Sequence, residues 1–259
     1  MKSAIALTFH GVITKTDLRN PRIDPTSDRY LLDKELFQKM INTMSLERVC
    51  TVSEYIDKRD DNWLILTFDD GNISDFKITF PILREKNIKA TFFVNPSNID
   101  SSGYLTRSHL LEMTEAGMEI GSHGLDHRYL VSINSSEAVR EIRESKERLE
   151  EILCKKVFSF APPGGHYKKW MLPIAREAGY RIFATMIPGE TKGEDNFLIL
   201  KRNHLQSFHD TVYLSRLIDG NMITMGWARL NYQILHSLKK ILGLQTYERL
   251  KNIIMRALT

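Results

Sequence analysis

The segment Trp63–Gly71, WLILTFDDG, places two adjacent acids directly after a run of apolar residues. The apolar run is typical of a buried strand, and the Asp-Asp-Gly that follows it is typical of a turn. In sheets of parallel strands, active sites are built at the carboxyl edge, where Asp69 and Asp70 would lie. Adjacent residues at a strand end point in different directions, so the two carboxylates can take different roles. A turn without a function is the alternative interpretation.

Similar apolar runs recur along the chain and alternate with helical patterns, which is typical of βα units and a parallel sheet. The predicted strands are Ala4–Phe9, Trp63–Phe68, Ala90–Val94, Glu119–Gly121, Val157–Phe160 and Tyr180–Ala184. The predicted helices are Asp33–Met44, Ser74–Lys86, Thr106–Ala116, Ser135–Leu153 and Trp170–Ala178. The charged face of Ser135–Leu153 is interpreted as solvated surface. We predict one domain over residues 1–205 and a helical C-terminal extension over residues 206–259.

The composition narrows the class of protein. With 259 residues, 42% of them hydrophobic, the chain is long enough to bury a sizeable core, which excludes a disordered protein. Cys50 and Cys154 lie far apart without a CxxC motif, which excludes a thiolate zinc site. The 36 Lys and Arg barely exceed the 32 acids, so no nucleic-acid partner is expected. The short apolar run after Lys2 predicts a first strand rather than a signal peptide, and a cytoplasmic protein is expected.

The segment GSHGLDHRYL, residues 121–130, holds His123 and His127 four residues apart. Two imidazoles at this spacing can meet one metal ion if the segment turns helically, although an accidental pair of surface histidines would look the same. Combined with an acid at a strand end, the pair supplies three protein ligands. Such a set leaves a position open for water, as hydrolytic metal sites require.

Three segments together resemble a known family. TFDDG at residues 67–71, SHGLDH at 122–127 and FAPPGG at 160–165 are similar, in this order, to motifs of the polysaccharide deacetylase superfamily, carbohydrate esterase family 4. FHGV at 9–12 and PILREKNIKATFFV at 81–94 extend the resemblance, which covers the predicted first domain. It implies an α/β fold, a distorted (β/α)7-type barrel, and metal-dependent removal of an N-acetyl group from an amino sugar.

The resemblance also implies roles for individual residues. Asp69 would be the general base, and Asp70, His123 and His127 would hold a divalent metal. Zn²⁺ is the first choice for this metal, with Co²⁺, Ni²⁺ and Mn²⁺ as alternatives, because an Asp/His/His set suits several ions. The metal would polarise the amide carbonyl and lower the pKa of the attacking water, and a separate acid would protonate the leaving amine.

The chain departs from commoner members of the family at two places. Ala161 stands where those members carry an Arg, and we predict that Arg202 replaces it by pairing with Asp69. Arg202 is also a candidate substrate-binding residue. The late segment FLILKRNHL contains Arg202 and His204 but lacks the Leu-x-His motif that supplies the acid in those members.

FHGV offers another source for the acid. It resembles the exopolysaccharide branch of the family, in which a His on the first strand takes that place, and this predicts His10 as the general acid. A core histidine bonded to a backbone carbonyl is the alternative.

The segment FAPPGGHYKKW, residues 160–170, is predicted to shape the wall of a substrate groove. Pro163 and Gly164 would fix a turn after a strand, and Tyr167 and Trp170 would stack on sugar rings. The alternative is that Trp170 covers its own helix.

The C-terminal segment is basic. Residues 226–259 hold six Lys and Arg against one acid, Glu248, a local net charge of +5. An apolar stripe beside these cations is formed by Leu235, Leu238, Ile241, Leu242 and Leu244. A helix of this kind is predicted to contact an anionic membrane surface, with packing on the barrel as the alternative.

These observations favour a hydrolase, a metal-dependent N-deacetylase of an amino-sugar-containing saccharide in cell-surface polysaccharide biosynthesis (exopolysaccharide or lipopolysaccharide). Its partner would be an N-acetylated saccharide, free or lipid-linked, met in the cytoplasm or at the inner face of the cytoplasmic membrane. A catalytically silent sugar-binding protein of the same fold is one alternative. A deformylase or deacylase of a lipid-linked amino sugar is the other.

Overall fold

The computed structural model describes residues 3–14, 30–58, 61–193 and 197–243, together with residues 246, 247 and 249. Its strands are β1 (Ser3–Phe9), β2 (Gly11–Ile13), β3 (Leu31–Asp33), β4 (Val49–Cys50), β5 (Trp63–Phe68), β6 (Thr91–Val94), β7 (Glu119–Ser122), β8 (Ser159–Phe160), β9 (Ile182–Ala184), β10 (Thr191–Lys192), β11 (Leu198–Leu200) and β12 (Arg202–His204). Its α-helices are α1 (Lys34–Thr43), α2 (Val52–Asp57), α3 (Phe80–Glu85), α4 (Arg107–Glu115), α5 (Ser135–Leu153), α6 (Met171–Glu177), α7 (Thr211–Ile218) and α8 (Met222–Leu242).

The main sheet is largely parallel and confirms the predicted barrel-like α/β fold. Its strands follow the order β1-β5-β6-β7-β8-β9-β11. Only Lys201 separates β11 from β12, and β12 pairs in parallel with β1, so the sheet is nearly closed. β10 pairs antiparallel with β1, and β4 pairs in parallel with β5.

Aromatic packing aligns the carboxyl ends of three adjacent strands. Phe9 and Phe68 occupy paired positions of β1 and β5, and Phe68 pairs with Phe92 of β6. The ring centroids of Phe9 and Phe68 lie 5.0 Å apart, and those of Phe68 and Phe92 lie 4.9 Å apart. All three rings are buried, so the residues that follow them emerge at one edge of the sheet.

The predicted helices are present, with one change of geometry. The expected helix Ser74–Lys86 consists of a π-helical segment, Asp75–Thr79, followed by α3. Pro81 lies in the first turn of α3, where its missing N–H leaves no interior hydrogen bond unmade. The wider preceding turn lets the chain continue through the proline without a break.

Several strand limits differ from the prediction. β8 and β9 are two and three residues long, shorter than the apolar runs Val157–Phe160 and Tyr180–Ala184. β2, β3, β4, β10, β11 and β12 were not predicted, because segments of two or three residues are too short to show a period.

Helix α5 has the predicted limits and an N-cap at Asn134, whose side chain accepts the N–H of Glu137. The interpretation of its whole charged face as solvated was wrong at Glu141 and Lys146, which are both buried. Both share the side of the helix that carries its buried apolar residues, so they are covered along with the stripe.

The chain after the barrel is helical. α7 contacts α1, and α8 contacts α7. The division into domains 1–205 and 206–259 stays a prediction. Of the charges and stripe residues counted in the extension, Leu244, Glu248, Lys251 and Arg256 lie outside the described residues. Within the part of the chain that the structure describes, no helix is both long and apolar enough for a membrane span.

Candidate active site

A cavity of about 530 Å³ opens at the carboxyl edge of the sheet. Its floor is formed by residues that directly follow strands, among them His10, Asp69, Asp70 and His123. One wall comes from α8. Seven of the eight histidines of the chain line this cavity: His10, His123, His127, His166, His204, His209 and His236. The sequence analysis found four of the floor residues but not this concentration of imidazoles.

Asp70, His123 and His127 converge at the floor. The Nε2 atoms of His123 and His127 lie 3.4 Å and 3.0 Å from Oδ1 of Asp70. The backbone φ angles of Asp70 and His127 are +82° and +56°. A positive φ is rare for a residue with a side chain and strains the backbone by roughly 1–3 kcal/mol. The surrounding structure therefore holds two of the three groups in conformations that they would otherwise avoid.

His123 is the most firmly held of the three. Its side chain is almost completely buried, and its Nδ1 lies 2.8 Å from the carbonyl oxygen of Ala161. The carbonyl can only accept, so Nδ1 carries the proton and Nε2 presents a lone pair to the cavity. Asn95 donates a hydrogen bond to the backbone carbonyl of His123. Ala161, which stands in place of the family's usual Arg, thus orients His123 through its backbone.

The three groups fit a divalent metal ion. One ligand atom from each lies within 4.8 Å of the others, and the set combines two imidazole nitrogens with one carboxylate oxygen. Burial alone would raise the pKa of Asp70, but the neighbouring imidazoles of His123 and His127 hold it well below its ordinary value. An ionised carboxylate beside two imidazoles is a donor set typical of hydrolytic zinc sites.

Glu141 of α5 shapes the segment that carries both histidines, and the sequence analysis missed it. Its Oε2 accepts the backbone N–H groups of Leu125 and Asp126 at 2.7 Å and 3.0 Å. A Cβ on Gly124 would lie 3.2 Å from the same oxygen. The carboxylate therefore closes the turn between His123 and His127. An acid on the apolar side of α5 was the signal available in the sequence.

Asp69 is held by Arg202, as predicted. Two parallel hydrogen bonds join the guanidinium to the carboxylate, at 2.6 Å to Oδ1 and 3.0 Å to Oδ2. The guanidinium also donates from Nε to the carbonyl of Thr185 at 3.2 Å. Burial alone would raise the pKa of Asp69, but the charge of Arg202 lowers it below its ordinary value. Arg202 is completely buried, so it acts on Asp69 and does not line the cavity.

His10 lies at the cavity in a cluster of three rings. Its ring centroid is 4.8 Å from that of His204 and 5.1 Å from that of Tyr30. Burial lowers the pKa of His10, although the carboxylates of Asp70 and Asp69 oppose the shift. Since His204 also lines the cavity, the structure brings together two histidines that could protonate a leaving group. His204 was not predicted to be the acid, because its segment lacks the Leu-x-His motif.

The FAPPGG segment reaches the cavity only in part. Gly164 lines it with a φ of +64°, and a Cβ there would lie 2.7 Å from the ring of Tyr129. Pro163 is buried directly before it. Gly165 and His166 also line the cavity, and the chain leaves it after His166.

Tyr167 packs on Phe183 with ring centroids 5.1 Å apart, and Trp170 is the N-cap residue of α6. Neither ring is among the described lining residues, so the structure does not bring them to the predicted groove wall. Tyrosines that the sequence analysis did not select line the cavity instead: Tyr30, Tyr129, Tyr213, Tyr232 and Tyr247.

Asp75 is a further buried acid near the floor. Burial raises its pKa well above the ordinary value, and the carboxylates of Asp70 and Asp69 add to this rise. The sequence analysis placed Asp75 in a helix without assigning it a role.

The inner face of α8 forms the wall of the cavity. Its lining residues are Ala228, Asn231, Tyr232, Leu235, His236 and Lys239. Nζ of Lys239 lies 3.3 Å from Nε2 of His166, which follows the FAPPGG segment. Nε of Arg229 donates to the carbonyl of Pro188 at 3.4 Å. These contacts join α8 to two loops at the cavity mouth.

Comparison with known families and curated proteins gives one consistent result. A sequence model described as polysaccharide deacetylase matches residues 57–183. The putative polysaccharide deacetylase YxkH of Bacillus subtilis is 24% identical over 196 residues, which cover 76% of this chain and 69% of YxkH. The peptidoglycan-N-acetylglucosamine deacetylase of Bacillus cereus is 30% identical over 119 residues, which cover 46% of this chain and 54% of that relative.

Solved structures share the fold. The Streptococcus pyogenes deacetylase PplD superimposes with a TM-score of 0.71 at 22% identity, over 83% of this chain and 98% of PplD. The putative polysaccharide deacetylase BA0330 of Bacillus anthracis gives 0.72 at 24% identity, over 84% of this chain and 69% of that protein. IcaB of Ammonifex degensii gives 0.68 at 18% identity, over 88% of this chain and 98% of IcaB.

Proposed function

Because the chain carries a polysaccharide deacetylase domain of carbohydrate esterase family 4, we propose that it removes N-acetyl groups from an amino-sugar-containing saccharide by metal-dependent hydrolysis. One observation carries the proposal. An ionised Asp69, held by Arg202, shares the cavity floor with the convergent set Asp70, His123 and His127. A protein that only bound sugars would need no ionised base beside three metal ligands.

The chemistry divides between the metal and the chain. A divalent ion held by Asp70, His123 and His127 would supply Lewis-acid polarisation of the amide carbonyl and a lowered pKa for water. Asp69 accepts the proton of the attacking water, and the paired bonds from Arg202 keep its carboxylate ionised and oriented.

The remaining steps complete the balance of the reaction. The water oxygen bonds to the carbonyl carbon, the C–N bond breaks, and the leaving nitrogen takes a proton from an imidazolium. We assign this proton to His10, whose ring lies beside that of His204. The products are acetate and a free amino sugar.

The substrate class is supported by the relatives and by the cavity. The relative from Bacillus cereus is named for N-acetylglucosamine in peptidoglycan, which supports an N-acetylated amino sugar here. Tyr129, Tyr213 and Tyr232 line the cavity and offer rings on which sugars stack. The structural likeness to IcaB concerns the fold, and the exopolysaccharide branch stays part of our proposal.

The metal, the biological role and the location are also part of our proposal. Zn²⁺ is the preferred ion, since two of the three ligands are imidazoles. We propose a role in cell-surface polysaccharide biosynthesis and a cytoplasmic location. Removal of a formyl or another acyl group from a lipid-linked amino sugar would use the same groups, and an assay with both acyl groups separates the two reactions.

The test is release of acetate from N-acetylglucosamine oligomers by metal-stripped protein resupplied with zinc or cobalt. We expect the ion to restore release. Asp69→Asn should lower kcat by about 10²–10⁴-fold, since it removes the base. Bound metal should remain stoichiometric in this variant. Asp57→Asn is the matched control, because Asp57 is exposed at the end of α2.

Two results would overturn the proposal. Release that persists in Asp69→Asn would mean that this carboxylate is not the base. A wild-type protein that binds no divalent ion would exclude metal-dependent hydrolysis altogether.

A further inference from the structure

The outer face of α8 exposes an apolar stripe that none of the cavity contacts uses. The side chains of the stripe are between 40% and 78% exposed, and they follow one another at spacings of three and four residues. The stripe consists of Ile223, Trp227, Leu230, Ile234, Leu238 and Ile241. Residues at these spacings share one helix face. This face is distinct from the lining face that carries Tyr232, His236 and Lys239.

The stripe differs from the one predicted from the sequence. Leu238 and Ile241 belong to both, whereas Leu235 lines the cavity. Trp227 adds a large ring that is 68% exposed. A contiguous exposed apolar face of this length on a helix marks an interaction surface rather than ordinary protein surface.

The charge of the segment indicates what covers the stripe. α8 carries Arg229, Lys239 and Lys240 and contains no acid in its sequence. The segment from residue 226 onward has a net charge of +5. Because α8 contains no acid, a second copy docked through the same face would offer no carboxylate to the cations of the first. An anionic bilayer offers the opposite charge and an apolar layer for the side chains.

We propose that the stripe on α8 docks on an anionic lipid bilayer, with the helix lying in the plane of the headgroups. Because the opposite side of α8 lines the cavity, docking holds the catalytic floor beside the membrane surface. The saccharide that reaches the cavity is then one attached to that membrane. This last step rests on the proposed function, whereas the docking does not.

The docking is tested with full-length protein and lipid vesicles. Wild-type protein should co-sediment with vesicles containing about 30% phosphatidylglycerol and only weakly with pure phosphatidylcholine, and binding should fall as salt rises. The double variant Trp227→Gln/Ile234→Gln should lose at least tenfold in vesicle partitioning. Ile199→Gln is the matched control, because Ile199 is an exposed isoleucine on β11. Thermal unfolding checks that each variant is folded.

Each outcome decides the matter. A wild-type protein that ignores anionic vesicles at low salt overturns the docking, and so does an equal loss in the Ile199 control. A concentration-dependent dimer that the double variant dissolves would assign the stripe to a second copy instead.

A separate measurement tests whether the substrate is attached to the membrane. The double variant should release acetate from soluble N-acetylglucosamine oligomers at the wild-type rate. On an N-acetylglucosamine glycolipid presented in anionic vesicles, its rate of acetate release should be at least tenfold below that of wild-type protein. Equal rates of the two proteins on this glycolipid would refute the membrane-attached substrate. Vesicle binding without acetate release would leave the docking intact and remove the proposed function, while release without binding would do the reverse.

Discussion

The floor and the α8 wall of the cavity are built in different ways. The floor residues follow buried strands, and two of them are fixed by a bond from a neighbouring element, as Arg202 fixes Asp69 and Ala161 fixes His123. The wall is a single helix with one face toward the cavity and the other exposed. We therefore expect substitutions in the floor to change the chemical step and metal binding. Substitutions on the outer face of α8 should change the docking of the protein on a membrane.

The largest effect is expected at His10. If His10 protonates the leaving amine, His10→Gln should lower kcat by about 10²–10⁴-fold with little change in metal binding. Because burial lowers the pKa of His10, kcat should fall as pH rises through a value below the ordinary imidazole pKa of 6.5. This fall reports loss of the acidic proton, so it should disappear in the variant. The measurement is kcat against pH for the metal-loaded enzyme.

His204→Gln is the comparison variant, because His204 contributes a ring to the same cluster. We expect a smaller loss of kcat in this variant, and kcat should still fall as pH rises. A larger loss of kcat in His204→Gln, together with disappearance of that fall, would assign the acid to His204 and contradict our assignment.

A smaller effect is expected at Glu141, which touches neither metal nor substrate. Glu141→Ala should weaken zinc affinity about 10–100-fold, because the turn between His123 and His127 loses its acceptor. Glu141→Gln keeps an oxygen at the same place and should restore most of the affinity. Zinc affinity is measured by competition with a chelator.

The control for this prediction is Glu144→Ala on the exposed side of α5, where Glu144 pairs with Arg140. It should leave zinc affinity unchanged. If Glu141→Ala lowered the thermal stability but left zinc affinity intact, Glu141 would be a purely structural residue.

The smallest effect is expected from substitution of Asp75 and is measured as a change in thermal stability. Its pKa is raised in the folded protein, so folding favours the protonated acid, and Asp75 becomes destabilising as pH rises above its ordinary pKa of 3.8. Asp75→Asn should therefore raise the Tm of metal-free protein at pH 8 by about 2–4 °C. The gain should shrink to nothing as pH falls below that ordinary value.

Thermal unfolding between pH 3 and 8 gives this comparison, with Asp57→Asn as an exposed control. A gain in Tm that stays constant with pH would show that ionisation is not its cause. A gain that grows toward low pH would have the wrong sign and exclude the mechanism.

The set Asp70, His123 and His127, which converges in the structure, could be predicted from the sequence because each residue lies in a short motif. Asp70 follows an apolar strand within TFDDG, and His123 and His127 lie within one six-residue segment. The groups that support them could not be predicted in the same way. Glu141 reaches its turn from a neighbouring helix, and its place on the apolar side of α5 indicates burial but not the turn that it closes.

The predictions that depend on contacts between distant parts of the chain had different outcomes. The pairing of Arg202 with Asp69 is present, whereas Tyr167 and Trp170 do not reach the cavity. Arg202 was paired with Asp69 as a replacement for the Arg that commoner members of the family carry at the position of Ala161. Tyr167 and Trp170 were chosen only for their aromatic rings, which serve a core as well as a groove. Their direction depends on the path of the chain after Gly164, which the residue types do not determine.

The Asp69–Arg202 pair joins positions 133 residues apart, and this separation has a consequence for the folding of the chain during its own synthesis. A nascent chain that leaves the ribosome already displays TFDDG and SHGLDH long before β12 is made. Until then the carboxylate of Asp69 lacks the guanidinium that keeps it charged. The barrel is completed by β12, so the pairing that fixes Asp69 forms with the end of the barrel and not with the motifs themselves.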